Sequence, residues 1–304
     1  MPDYGHHLQF ATFPEPSATP PLGPVDLAVL SEEWGYDLVM FQDHPYRPEY
    51  LDVWTLMSWA AARTSRIHVA PNVLNMAMRS PALVAKSAAS IDLLSGGRFE
   101  LGLGSGFLWN EIAAMGFPRW TQAQAITALS EAIDVIRVTW NTSTVGPARA
   151  GGTYHHVDGM LRGPAPAHDM PIWLGAYKPR MLRLTGRKAN GWAAMLGRVQ
   201  SRAQWQAASA VIDEAATEAH RDPAAIRRIA GIAGRFGRGG GFLQGPPAQW
   251  VEQLLPSVIE DGIGTFIVVT SDRADLQRFA ADVIPALRTA VAAERGLLFR
   301  PERI

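Results

Sequence analysis

The sequence predicts an α/β protein folded as a (β/α)8 TIM barrel with insertion segments, over a single domain of residues 1–304. Three observations carry that prediction. Short β-rich runs alternate with longer stretches of helical period, the pattern of βα units around a parallel sheet. Eight such runs fit within 304 residues, close to the roughly 250 residues plus insertions of such a barrel. No G-x-G-x-x-G turn follows the first run, as the competing doubly wound sheet would require.

The elements follow in order. His7–Phe13 reads as the first strand and leaves through a Pro-rich turn. A helix near Pro24–Trp34 leads into the second strand, Asp37–Phe41. Leu51–Arg63 is helical, and Ile67–Leu74 is the third strand. The helix Pro81–Leu94 ends at Ser95-Gly96-Gly97, where glycine can take the left-handed cap conformation. Arg98–Leu103 is the fourth strand. Thr121–Trp140 is the clearest helix, because Ile126, Leu129, Ile133, Ile136 and Trp140 fall three and four apart on one face. Asn141–Met170, rich in Gly, Pro and His without a sustained period, is an insertion with a short hairpin expected around Gly152–Leu161. Pro171–Leu174 is the fifth strand, followed by a helix through Leu184. Gly191–Leu196 is the sixth, and Ser201–His220 a long helix. Ile229–Ala233 is the seventh strand, Arg235–Pro247 a glycine-rich stretch expected to be mobile, and Gly264–Thr270 the eighth strand. A helix over Ala274–Ala293 closes the order.

Composition removes several function classes. Lys+Arg and Asp+Glu both number 28, so no global charge steers the chain to nucleic acid or a membrane surface. No apolar run approaches the roughly 18 residues of a membrane span. The start, Met-Pro-Asp-Tyr-Gly-His-His, lacks a basic and apolar leader, so a cytoplasmic protein is expected. The absence of cysteine excludes disulfides, thiolate nucleophiles, zinc thiolates and iron–sulfur ligands. No metal site is expected either: His6-His7 and His155-His156 are adjacent pairs, and H-E-x-x-H is absent.

In a barrel of this kind chemistry sits at strand C-termini. The second strand runs into Gln42-Asp43-His44-Pro45. His44 there can exchange a proton near neutral pH; the competing role is to organise the loop with Asp43. The third strand ends in Pro71-Asn72-Val73-Leu74. The Asn72 amide can pair with a ring amide, and a plain turn after proline explains it equally well. The fourth strand leads into Gly102-Leu-Gly104-Ser105-Gly106-Phe107, then Trp109-Asn110-Glu111. Alternate glycines permit close approach of backbone to a flat or anionic ligand. The fifth strand leaves through Gly175-Ala176-Tyr177-Lys178-Pro179-Arg180 straight into a helix. Its start, with Lys178 and Arg180, offers a phosphate seat; solvated cations beyond a tight turn are the alternative.

The segment Ser95-Gly-Gly-Arg-Phe-Glu-Leu-Gly-Leu-Gly-Ser-Gly106, with Asn110-Glu111 and Met115-Gly116, resembles the signature of the luciferase-like flavin monooxygenase superfamily. The likeness extends through Phe41–His44, Pro71–Leu74, Ile172–Tyr177 and Gly186–Trp192, and thins beyond about residue 196. It is most similar to the branch using the deazaflavin coenzyme F420, with the FMN branch as rival. The resemblance implies a homodimer, a small-molecule substrate and a cofactor ring at the strand C-termini near Gly104, Ser105, Gly106, Tyr177 and Arg180. It also implies a non-prolyl cis peptide at Asn72–Val73, phosphate contacts at Gly175 and Ala176, and His44 beside the ring. An FMN enzyme would add a separate flavin reductase as partner, and an F420 enzyme a separate F420 reductase. A third reading is a barrel that binds a flavin without catalysing. Where F420-dependent sugar-phosphate dehydrogenases carry a glutamate, this chain has Phe107. A phenyl ring cannot move a proton, so Phe107 and Trp109 are expected to face an apolar or aromatic substrate instead.

Overall fold

Eight parallel staves close into a cylinder in the computed structural model, which describes residues 3–199 and 201–296. The strands are β1 (Gln9–Thr12), β2 (Leu38–Phe41), β3 (His68–Pro71), β4 (Leu74–Asn75), β5 (Leu101–Gly104), β6 (Ala148–Gly151), β7 (His156–Met160), β8 (Ile172–Gly175), β9 (Gly191–Met195), β10 (Arg227–Ile232) and β11 (Ile263–Val268). Apart from the separate β6–β7 pair, they form one sheet in the order β3-β2-β1-β11-β10-β9-β8-β5-β4. The cylinder closes where Val69 bridges Phe99 in parallel. There Val69 N–H donates to Arg98 O at 2.9 Å and Glu100 N–H to Val69 O at 3.1 Å. β3 and β4 are thus two halves of one stave, interrupted at Asn72–Val73.

Alternation along the strands sorts side chains into two cores. Ala11, Met40, Ala70, Trp173, Ala193 and Ile267 pack together inside the barrel. Phe10, Val39, Phe41, Leu103, Leu174 and Phe266 face outward into the larger core beneath the helices.

The helices are α1 (Gly23–Trp34), α2 (Val53–Arg63), α3 (Pro81–Ser95), α4 (Trp109–Ala114), α5 (Gln122–Trp140), α6 (Pro179–Lys188), α7 (Leu196–Val199), α8 (Arg202–Glu218), α9 (Pro247–Ile259), α10 (Arg273–Arg278) and α11 (Ile284–Glu294). Local chemistry sets their ends. Gly96 takes the expected left-handed conformation after α3, and Thr121 with Gln124 forms a reciprocal capping box at the start of α5.

Four features depart from the sequence reading. α9 has no anticipated counterpart, because its flanking prolines and internal Pro256 mask its period. The short α4 directly after the glycine segment is also unanticipated. The closing helix is not continuous: five residues, Phe279–Val283, form a π-helical turn between α10 and α11. The hairpin spans Ala148–Met160 and turns at residues 152–155, so Gly152 lies in its turn and not at its start.

The insertion is tied down at its hairpin turn and at its C-terminal end. Glu131 of α5 accepts the N–H groups of Thr153, Tyr154 and His155 at 2.9, 2.7 and 2.9 Å. At the N-terminal rim of the barrel, buried Asp92 accepts the Ala167 N–H at 2.7 Å and bonds His168 Nδ1 at 3.0 Å. Glu100 Oε2 stands 3.8 Å from His168 Nε2 and acts as a nearby charge. The Glu100 and Asp92 carboxylates raise the His168 pKa to about 9.

Candidate active site

The mouth of the barrel is built around Val73. The Asn72–Val73 peptide is cis, as expected, and Asn72 N–H donates to Phe41 O at 2.7 Å. Gly102, Gly104 and Gly175 surround the Val73 side chain: a Cβ built on them would stand 3.4, 2.6 and 3.2 Å from its methyl carbons. At Gly102 the same Cβ would meet Pro71 O at 2.3 Å. These glycines therefore make room for the interrupted third stave. The Cβ positions of Gly102 and Gly104 are filled by Val73 and the Pro71 carbonyl, so a side chain at either would collide with the barrel itself. Gly106 differs: its φ of +97° is one that side chains rarely adopt, and it abuts the Trp109 ring.

His44 and Asp43 part company. Asp43 is buried, accepts Asn75 N–H at 2.8 Å and binds Arg79 through both oxygens at 3.2 and 2.9 Å. It is committed to Arg79, so the loop reading with Asp43 as partner of His44 does not hold. His44 instead pairs its Nδ1 with Tyr46 Oη at 2.5 Å. Burial pushes the His44 pKa below its ordinary value, against the pull of Asp43, and pushes Tyr46 up to about 12. Burial therefore favours the uncharged imidazole. Its Nε2 has no hydrogen-bond partner among the described residues.

Beyond β5, Ser105, Gly106, Phe107, Trp109 and Trp120 line one cleft of about 650 Å³. Phe107 is 64% exposed, so it faces the cleft and not the core. Tyr46, Trp109 and Trp120 pack on the same small cluster of Ala77, Met78 and Ile112, which joins the His44 side to the cleft. Trp120 meets Tyr154 edge-on at 5.5 Å and His155 at 5.9 Å, so the hairpin turn buttresses the cleft's outer wall.

Arg198 was not singled out from the sequence. Its guanidinium lies 5.7 Å from both the Phe107 and Tyr177 ring centres, and it thereby links the exits of β5, β8 and β9. The signal available was weak, a lone arginine two residues past an apolar strand. Tyr177 Oη also accepts Met195 N–H at 2.9 Å.

The β8 exit is more committed than the sequence suggests. Ala176 is buried, its N–H faces Ala193 O at 3.4 Å, and its carbonyl accepts the Trp192 indole at 2.8 Å. Arg180 is not in the cleft. It lines a separate groove between α5 and α6.

A sequence profile described as luciferase-like monooxygenase matches residues 4–233. The chain is 32% identical over 212 residues to an F420-dependent glucose-6-phosphate dehydrogenase of Gordonia bronchialis. That alignment covers 67% of this chain and 62% of the relative, so the chain spans under two thirds of the relative's length. Among solved structures, an F420-dependent secondary alcohol dehydrogenase in complex with an F420-acetone adduct superposes with a TM-score of 0.79 at 18% identity, covering 92% of this chain and 99% of that one. A long-chain alkane monooxygenase superposes with a TM-score of 0.79 at 15% identity, covering 97% and 92%. Both structures share the barrel. With the profile running from before the first strand to the end of β10, through the Val73 turn and the glycine segment, the chain belongs to the luciferase-like monooxygenase family.

Proposed function

We propose that this protein is an F420-dependent oxidoreductase acting on a small, apolar or aromatic substrate. The observation that carries the reading is the Val73 platform: a compact apolar surface at the barrel mouth, ringed by glycines and opening beside an aromatic cleft. Such a surface fits a flat ring. The relative's dependence on F420 favours the deazaflavin. Bound F420 supplies a hydride acceptor or donor at C5.

The chain's own residues do the rest. Val73 supports one face of the ring, and the Asn72 amide offers a donor and an acceptor to its polar edge. Ser105 and Gly106 line the rim, and the backbone from Gly175 through Ala176 to Tyr177 leads to the phosphate end. With Nδ1–H donating to Tyr46 Oη, uncharged His44 takes the substrate hydroxyl proton on Nε2 during oxidation, and the imidazolium so formed returns it during reduction. Phe107, Trp109 and Arg198 form the substrate wall. Residues 1–304 act as one barrel unit, with 235–247 as its mobile loop, and a homodimer is supported by Trp59, Leu83 and Leu94, exposed on α2 and α3.

A second reading, an FMN monooxygenase fed by a separate reductase, is favoured by the apolar cleft and the likeness to an alkane monooxygenase. Fluorescence titration with F420 and with FMN in one buffer separates the two. Tight F420 and weak FMN binding is expected; the reverse preference overturns the proposal. His44→Ala should lower turnover by about 10²–10⁴ with the fold intact, and unchanged turnover removes His44 from the chemistry.

A further inference from the structure

Arg180, Arg183 and Arg187 lie at positions i, i+3 and i+7 of α6, on one helix face. They line a groove of about 350 Å³ with Thr127, Ser130 and Leu184. At a rise of 1.5 Å per residue the three arginines mark out roughly 10 Å of groove. None has an acidic partner among the described residues. Their neighbours are engaged: Lys188 is tied to Asp134 at 2.5 Å, and Arg137 donates to the Lys188 carbonyl. The Ser130 hydroxyl makes no hydrogen bond among the described residues, while Thr127 spends its proton on Ala123 O at 3.1 Å.

This arrangement opposes helix stability. Arg180 sits in the first turn, where the helix dipole disfavours a cation. Like charges three and four residues apart repel one another. Among the described residues no carboxylate pairs with these arginines to offset either effect. An anion with several charges spread along a chain would offset both. The groove is too small for a nucleic-acid duplex, and it starts where α6 leaves the Gly175–Tyr177 rim.

We propose that the α5–α6 groove binds an extended oligocarboxylate, and that its occupant is the oligoglutamate tail of F420. The identity of the occupant rests on the F420 reading above; the anion specificity of the groove does not. Arg183 and Arg187 are then tail-binding residues, remote from the reacting ring, and Arg180 is the first contact beyond the rim.

The test compares long-tailed F420 with the tail-less form, titrated by fluorescence into the full chain and into Arg183→Ala/Arg187→Ala. The wild type is expected to bind the long-tailed form about tenfold more tightly, the fold-change of a few exposed ion pairs. The advantage should shrink as salt rises. The double variant should lose it while keeping wild-type affinity for the tail-less form and an unchanged Tm. Equal wild-type binding of the two forms, or an advantage that survives the double substitution, overturns the proposal. If neither form binds, the F420 reading and the tail as occupant both fall. Calorimetry with free oligo-γ-glutamate then decides the groove: binding that the double variant loses upholds an oligocarboxylate site, and no binding overturns it.

Discussion

Substituting Gly104 by alanine tests the architecture of the mouth. Gly104 has no left-handed φ, so by backbone entropy alone alanine should stabilise the protein by about 0.4–1 kcal/mol. The structure predicts the opposite sign. The new Cβ would stand 2.6 Å from a Val73 methyl, against roughly 3.5–4.0 Å for a relaxed carbon contact. Valine has a stiff χ1, so relief requires the Val73 turn itself to shift by about an ångström. Overpacking of this kind costs about 1–3 kcal/mol. Gly104→Ala should therefore lower the urea midpoint at an unchanged m value. Adding Val73→Ala removes the obstructing methyl and should return much of the loss, a coupling of about 1–2 kcal/mol in a double-mutant cycle. Gly102→Ala supplies the contrast. Its Cβ meets the Pro71 carbonyl at 2.3 Å, which is backbone, so Val73→Ala should not rescue it. A stabilised Gly104→Ala, or equal rescue at both positions, would refute the claim that these glycines exist to seat Val73.

Asp43→Ala leaves Arg79 in a largely buried site where, among the described residues, Asp52 at 3.8 Å is its remaining counter-charge; chemical denaturation should show a loss of about 3 kcal/mol. His168, raised to about 9 from its ordinary 6.5, contributes stability that is complete below about pH 6.5 and lost as pH rises through about 9. His168→Ala should flatten that alkaline fall in Tm, and an unaltered slope would assign it to other groups. Arg198→Ala gives up two exposed cation–π contacts of about 0.5–1 kcal/mol each. Its Tm should drop by a few degrees at most while KM for the substrate changes several-fold; a KM equal to wild type takes Arg198 out of the pocket wall.

The barrel was legible because its cause is local. Alternating apolar runs and capping signals, such as Gly96 after α3, act over a few residues and leave marks in the sequence. α9 escaped for the same reason in reverse: prolines at 246, 247 and 256 obscure a helix that packing of Trp250, Leu254 and Val258 maintains. Within the mouth, positions at strand ends were readable, so His44, Asn72, Ser105 and Phe107 stand on the C-terminal rim. Partnerships were not readable. Asp43 lies beside His44 in sequence yet bonds Arg79, thirty-six residues away. Nor does the sequence tell that the Cβ position of Gly104 is taken by the Val73 side chain. Arg198 acquires meaning only when Phe107 and Tyr177, from two other strands, arrive on either side.

The hairpin turn that leans on Trp120 separates two kinds of change. The inner surface of the mouth is made of barrel strands, where alterations at Gly102 or Gly104 collide with backbone or Val73. The outer wall depends on an appendage whose turn hangs on one carboxylate, Glu131, and two ring contacts. Residues 144–160 can thus be lengthened, shortened or exchanged without disturbing a single barrel ladder. On the proposed function, substrate range and ring seating would then be separately heritable, and selection for new substrates would have a place to work that leaves the proposed cofactor end untouched.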